Sequence, residues 1–139
     1  MISVSYTHEV PYVYGRGRSR PTLRLEIRSI ADPTLAIETQ ADLDSGADST
    51  IFQGDLCSVI GVELMHGRER NFQTALVNRT SLVARVHRVR LVHELLGGFE
   101  MEVAFATEPI GRNLLGLDFF NVFKIGFQDR QSLVCFEPE

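Results

Sequence analysis

The sequence predicts an all-β fold with one or two short helices, and three features support this. Apolar and polar residues alternate in several stretches, which is the period of a strand with one buried face. Turn-forming residues separate these stretches, and only two short segments suit a helix. The chain has 139 residues, of which 44% are hydrophobic. We expect one domain spanning 1–139, with residues 1–20 as an N-terminal strand and loop extension.

The composition argues against several classes of function. A net charge of -4 does not favour binding of nucleic acid by general electrostatic attraction. No apolar run approaches membrane-spanning length, and the first residues lack the features of a signal peptide, so we expect a cytoplasmic protein that binds no membrane. Cys57 and Cys135 are interpreted as buried small hydrophobic residues. The spacing of the four histidines predicts no metal site, and we expect no cofactor.

The first two predicted strands form a hairpin that leads to a turn carrying an aspartate. Alternation at 23–28 predicts a strand, and turn-forming residues follow at 31–34. A second alternation at 35–43 delivers Asp44 to the end of its strand. The small residues at 45–47 allow a sharp bend after it.

A short helix is predicted beyond this turn. Residues 54–61 place three apolar side chains at helical spacing: Leu56, Val59 and Ile60. Val62 and Leu64 are then expected to begin extended chain again.

The middle of the chain predicts a hairpin. Residues 71–76 and 81–92 are its two candidate arms, with 77–79 near the tip. Gly67 is a rival position for the turn. An ordinary surface hairpin and a functional one fit this stretch equally well.

The second arm of this hairpin is rich in basic residues. They alternate with apolar ones and are interpreted as the outward face of a strand rather than an anion site: Arg85, His87, Arg88 and Arg90. The alternation changes phase between Val86 and Val89, which predicts a β-bulge.

The last third of the chain predicts further strands. Gly97 and Gly98 are expected to form a hairpin turn before the alternating residues 99–105. Another hairpin is predicted from 124 to 136 at the end of the chain.

A buried strand and a second helix are predicted before that final hairpin. Residues 113–116 have the character of a buried strand. Asp118 is a candidate N-cap for the helix that follows.

The turn at Asp44 carries the most specific motif in the chain. Residues 43–50 read Leu-Asp-Ser-Gly-Ala-Asp-Ser-Thr, placing a carboxylate on a tight turn between two hydrophobic strands. This run resembles the Asp-Ser/Thr-Gly-Ala signature of aspartic proteases. The Leu-Leu-Gly at 114–116, followed by a helix and a hairpin, matches a second motif of that family. Over roughly 23–136 the chain is similar to retropepsin-like proteases, the single-lobed enzymes of retroviruses and their bacterial relatives.

The resemblance implies a role for each residue of the motif. Asp44 would be the catalytic residue, and Ser45 and Gly46 would support the active site. Ala47 and Asp48 would contact the substrate.

The resemblance also implies a flap and an ion pair. Asn78, near the predicted hairpin tip, would bind substrate as part of the flap. Retroviral enzymes often carry an arginine directly after the glycine of the second motif, but Leu117 stands there. Asp48 therefore needs another partner, and Arg112 is the candidate.

Peptide hydrolysis by this family needs two carboxylates that share one proton. The chain contains one Asp-Ser-Gly, so the second carboxylate is expected to be Asp44 of another copy. The resemblance thus implies a homodimer with its active site at the interface, acting on a protein or peptide substrate. The terminal strand at 132–136 is expected to contribute to the dimer sheet.

Two other functions remain open at this stage. One keeps the fold without turnover, as a peptide-binding or dimerisation module. The other is an RNA-associated module that uses the tyrosines and arginines of residues 1–20.

Overall fold

The computed structural model describes residues 5–15, 17–73 and 81–138, and most of them lie in strands. The strands are β1 (His8–Pro11), β2 (Val13–Gly15), β3 (Arg18–Arg20), β4 (Thr22–Arg28), β5 (Ala36–Leu43), β6 (Ile51–Phe52), β7 (Arg68–Gln73), β8 (Ser81–His93), β9 (Gly97–Ala106), β10 (Asn113–Leu115), β11 (Phe123–Gln128) and β12 (Leu133–Pro138). Two short helices, α1 (Leu56–Val59) and α2 (Leu117–Phe120), accompany 3₁₀ turns at Leu64–His66 and Asp129–Gln131. The all-β prediction is confirmed.

The main sheet contains seven strands and closes on itself. Its order is β4-β5-β10-β6-β9-β8-β7, and β4 also pairs with β8 through Ile27 opposite Leu91. Short β10 lies between β5, to which it is parallel, and β6, to which it is antiparallel. Because β10 lies beside β5 and is followed by α2, the end of β5 lies close to the start of α2.

Long strand β8 contributes to two hydrophobic clusters. Val89 and Leu91 pack in the larger cluster, whereas Leu82, Ala84 and Val86 pack in the smaller one. The pairing of β8 with β9 nevertheless runs without a break from Ala84 to His93. The predicted bulge is therefore wrong, because the change of phase reflects burial on opposite faces of one regular strand.

The central hairpin is present, and its first arm begins three residues earlier than predicted. β7 begins at Arg68 and pairs antiparallel with β8 as far as Gln73 opposite Ser81. Gly67 therefore precedes the hairpin. The predicted tip at 77–79, including Asn78, lies outside the described residues.

Two further local predictions are wrong. The turn between β8 and β9 is formed by residues 94–96, and the two glycines of the predicted turn begin β9, with Gly97 at φ +79°. Leu64 starts a 3₁₀ turn rather than extended chain. The short helix predicted within 54–61 is present as α1, in which Leu56 is buried and Val59 is 49% exposed.

A second sheet joins the two ends of the chain. Its order is β1-β12-β11, so β12 has a neighbour on each side. Val134 and Phe136 of β12 are buried in the larger cluster. Among the helices of the described residues, none has both the length and the apolar character needed to cross a membrane.

Candidate active site

Asp44 lies directly after β5, where β10 fixes its backbone. The two strands pair with Leu43 opposite Leu115, and the Asp44 N–H donates to the Leu115 carbonyl at 2.9 Å. Both leucines are buried, so hydrophobic packing anchors the strand end that carries the carboxylate. The side chain of Asp44 is itself half-buried.

The turn after Asp44 is closed by the aspartate itself. Its Oδ1 accepts a hydrogen bond from the Gly46 N–H at 2.8 Å, and its carbonyl accepts one from the Ala47 N–H at 3.1 Å. A short side-chain acceptor that bonds the backbone two residues later is characteristic of an Asx turn. Ser45 and Asp48 are exposed, whereas Ala47 is half-buried.

Asp118 ties α2 to the chain that follows the turn. Its carboxylate accepts hydrogen bonds from the Thr50 backbone N–H at 3.0 Å and the Thr50 hydroxyl at 2.7 Å. The same hydroxyl oxygen accepts from the Gly116 N–H at 3.2 Å. The prediction that Asp118 caps α2 is wrong, since Gly116 occupies the N-cap position.

Gly116 allows a very close approach between the two sequence motifs. The Leu117 N–H donates to the Ala47 carbonyl at 2.8 Å. A Cβ atom on Gly116 would lie 2.6 Å from that same carbonyl oxygen. Only glycine fits here, and the turn packs directly on the start of α2.

Asp44 lines a cavity of about 320 Å³ that is rich in charged residues. Asp42, on β5, accepts hydrogen bonds from Arg112 at 3.0 Å, from Arg20 at 3.4 Å and from the Thr22 hydroxyl at 2.9 Å. The candidate pairing of Arg112 with Asp48 is therefore wrong. Within the described part of the chain, Asp48 forms no ion pair.

Asp129 is the other aspartate that lines this cavity. It accepts a hydrogen bond from the Tyr12 hydroxyl, and burial together with this bond raises the pKa of Tyr12. Tyr12 also donates its backbone N–H to the Ser132 carbonyl at 2.7 Å. The N-terminal segment therefore forms part of the surroundings of Asp44.

A larger cavity of about 770 Å³ lies between α1 and the chain after β9, and Asp44 does not line it. Cys57 lines this cavity, and burial raises the pKa of its thiol to about 12. The thiolate is the nucleophilic form of cysteine, so this thiol is unreactive at neutral pH. No group of three or more His, Cys, Asp or Glu side chains in the described ranges is arranged to hold a metal ion.

Three residues of this site were not predicted from the sequence: Arg20, Asp42 and Thr50. A signal existed for Asp42, because residues two apart on a strand share a face, which places Asp42 beside Asp44. Arg20 had no such signal, since the contact joins residues 22 positions apart.

Comparison with solved structures identifies the fold. A retropepsin-like aspartic protease from Rickettsia conorii superposes with a TM-score of 0.62 at 14% identity, covering 96% of each chain. EIAV protease in complex with the inhibitor HBY-793 gives a TM-score of 0.49 at 18% identity, covering 78% of this chain and 92% of that one. No protein-family model and no curated protein matches the sequence. The chain therefore has the retropepsin-like fold.

Proposed function

We propose that the protein is a homodimeric aspartic endopeptidase in which residues 1–139 act as one domain and supply half of the active site. The observation that carries this proposal is the position of Asp44, held on an Asx turn beside an open cavity. The likeness of the whole chain to the Rickettsia conorii protease supports it.

The chemistry requires a second carboxylate close to Asp44. Within the chain, Asp42 is engaged by two arginines and a threonine, and Asp129 is bonded to Tyr12. Neither is as free to share a proton as the Asp44 of a second copy, placed opposite the first by a two-fold axis.

Two such carboxylates hold one proton between them, because like charges about 3 Å apart are not both ionised at low cost. The ionised member takes a proton from water, and the protonated member donates to the carbonyl oxygen of the peptide bond. The product of this step is a tetrahedral gem-diol, which collapses to the two peptide fragments without a covalent enzyme intermediate.

The other motif residues support this reaction. Ser45, exposed beside Asp44, stiffens the pair across the two-fold axis, and Gly46 leaves room for the substrate backbone. Ala47 and Asp48 contact the substrate main chain. Asn78, which lies outside the described residues, would also contact the substrate.

The terminal sheet restricts how two copies pair. Because β12 already lies between β1 and β11, the free edges of this sheet belong to β1 and β11. β11 leads directly to Asp129, which lines the same cavity as Asp44. We therefore assign the dimer contact to the edge of β11 rather than to β12.

A peptide library offered to the purified protein from acidic to neutral pH tests the activity. Wild type should cleave, and Asp44→Asn should bind peptide without cleaving it. Asp129→Asn is the matched control and should retain activity. Cleavage by Asp44→Asn would remove the aspartic mechanism, and binding without cleavage by wild type would indicate a peptide-binding module.

Mixed dimers test whether two copies share one site. Wild type and Asp44→Asn are refolded together in equal amounts. If each site needs two Asp44 side chains, the mixture should have roughly a quarter of the activity of the same total amount of wild type. A remainder of about half would mean that each chain is active by itself.

A further inference from the structure

The cavity beside Asp44 contains more positive than negative side chains once Asp44 itself is set aside. Three arginines and two other aspartates line it: Arg18, Arg20, Arg112, Asp42 and Asp129. With Asp44 counted, three arginines face three aspartates, so the positive excess is local to one part of the lining and not a property of the whole cavity.

The excess charge is concentrated where two arginines share one carboxylate. The Oδ2 atom of Asp42 lies 3.0 Å from Nη1 of Arg112 and 3.4 Å from Nη1 of Arg20. Its Oδ1 atom accepts the Thr22 hydroxyl at 2.9 Å. A single carboxylate balances only one of the two guanidinium groups.

Arg112 is the member of this cluster that a ligand can reach. Its side chain is 38% exposed, against 17% for Arg20 and 18% for Asp42. A guanidinium carries five N–H donors in a planar fork suited to carboxylates. Arg112 uses its Nη1 group for Asp42, and its remaining N–H donors bond to no other described residue, so they are available to a second anion.

The distance from the cluster to the carboxylate of Asp44 matches the spacing between substrate side chains. Asp42 and Asp44 are two residues apart in extended chain, which corresponds to about 7 Å on the same face. Side chains of an extended peptide repeat at the same interval. A peptide whose cleaved bond lies at Asp44 would therefore place a side chain close to that bond beside Arg112.

We propose that the cluster Arg20–Asp42–Arg112 binds an acidic side chain, Asp or Glu, of the substrate next to the cleaved bond. This inference rests on the proposed endopeptidase function. It adds a substrate class, namely peptides with a carboxylate close to the cleavage site.

Paired peptides that differ only by Glu or Gln at each position flanking the cleaved bond test the inference. For wild type, kcat/KM should be about tenfold higher for the Glu peptide at one position. Arg112→Gln should remove this preference. The matched control is Arg24→Gln on the exposed face of β4, where Arg24 pairs with Glu38 at 3.1 Å, and it should keep the preference.

Asp42→Asn should change the preference for Glu peptides in the opposite direction to Arg112→Gln. It removes the negative charge but keeps a group that can accept the Thr22 hydroxyl, so the preference for Glu should increase. High salt should weaken the preference in wild type, because the attraction is electrostatic. Equal rates for Glu and Gln peptides at every position, or an unchanged preference in Arg112→Gln, would overturn the inference.

Binding measurements separate this inference from the proposed function. The same Glu and Gln peptides, labelled with a fluorophore, are titrated with Asp44→Asn, and fluorescence anisotropy gives their dissociation constants. This measurement requires no turnover. Tighter binding of a Glu peptide that is lost on adding Arg112→Gln supports the anion site even if wild type cleaves nothing. Equal dissociation constants would contradict it even if wild type is an active protease.

Discussion

At the scale of single residues, the site depends on buried polar side chains that form hydrogen bonds with the surrounding backbone. Thr50 is fully buried, and its hydroxyl both donates to Asp118 and accepts from the Gly116 N–H. Buried polar groups stabilise a fold only when they are hydrogen-bonded. One threonine therefore links the two sequence motifs.

Thr50→Val should destabilise the protein by about 1–3 kcal/mol, because it leaves the Gly116 N–H without its acceptor and removes the hydroxyl donor to the Asp118 carboxylate. Urea unfolding monitored by circular dichroism measures the loss. Thr34→Val is the control, since Thr34 bonds to Asp32 on the surface and should cost less. Equal losses for the two variants would contradict this role of Thr50.

His93 should make the stability depend on pH. Burial lowers its pKa below the ordinary value of 6.5, outweighing the nearby Glu94. The unfolded chain then binds the proton more tightly than the folded one, so the contribution is complete above pH 6.5 and is lost as pH falls through the folded pKa. The free energy of unfolding should therefore fall as the solution is acidified from pH 7.

Protonation of His93 would also remove the Nδ1 acceptor used by the Leu95 and Leu96 N–H groups. His93→Gln should flatten the dependence of unfolding free energy on pH in this range. The same slope in wild type and variant would assign the effect to other groups.

At the scale of elements, the site is formed where β5, β10 and α2 meet. Alternating residues predicted most strands, because each has one buried and one exposed face. The phase change in β8 is visible in the sequence, but its cause could not be predicted, since it arises from two clusters on opposite sides of one strand. The bond between Asp42 and Arg112 joins residues 70 positions apart, which no local pattern indicates.

Gly116→Ala tests the packing of the turn on α2. The added Cβ would lie 2.6 Å from the Ala47 carbonyl oxygen, so we expect a loss of about 1–3 kcal/mol in unfolding free energy and reduced activity. Gly15→Ala is the control, because its Cβ would have nothing within 4 Å. A variant Gly116→Ala as stable and active as wild type would show that the turn can move away from α2.

At the scale of the whole molecule, the terminal sheet has a free edge at β11, which is where we propose that a second copy pairs. Phe127 on β11 is 42% exposed, and its ring packs on Phe120 with centroids 6.2 Å apart. An exposed aromatic side chain on a free strand edge suits a contact between subunits.

Phe127→Arg should shift the protein from dimer to monomer and reduce activity, because it places a charge in the proposed contact. Sedimentation measures the mass, and circular dichroism verifies that the variant is folded. Leu95→Arg, at a residue that is 45% exposed in the turn between β8 and β9, should remain dimeric. Folded, active dimers of Phe127→Arg would place the contact elsewhere.

The uninterrupted course of β8 through both hydrophobic clusters couples them mechanically. We expect the two clusters to open together, because β8 belongs to both and cannot leave one without disturbing its packing in the other. Native-state amide hydrogen exchange should therefore give one common opening free energy for the two halves of β8, and two separate values would show independent units. Substitutions that destabilise the smaller cluster, at Leu82 or Ala84 for example, would then also destabilise the packing of β4, which pairs with the other end of β8.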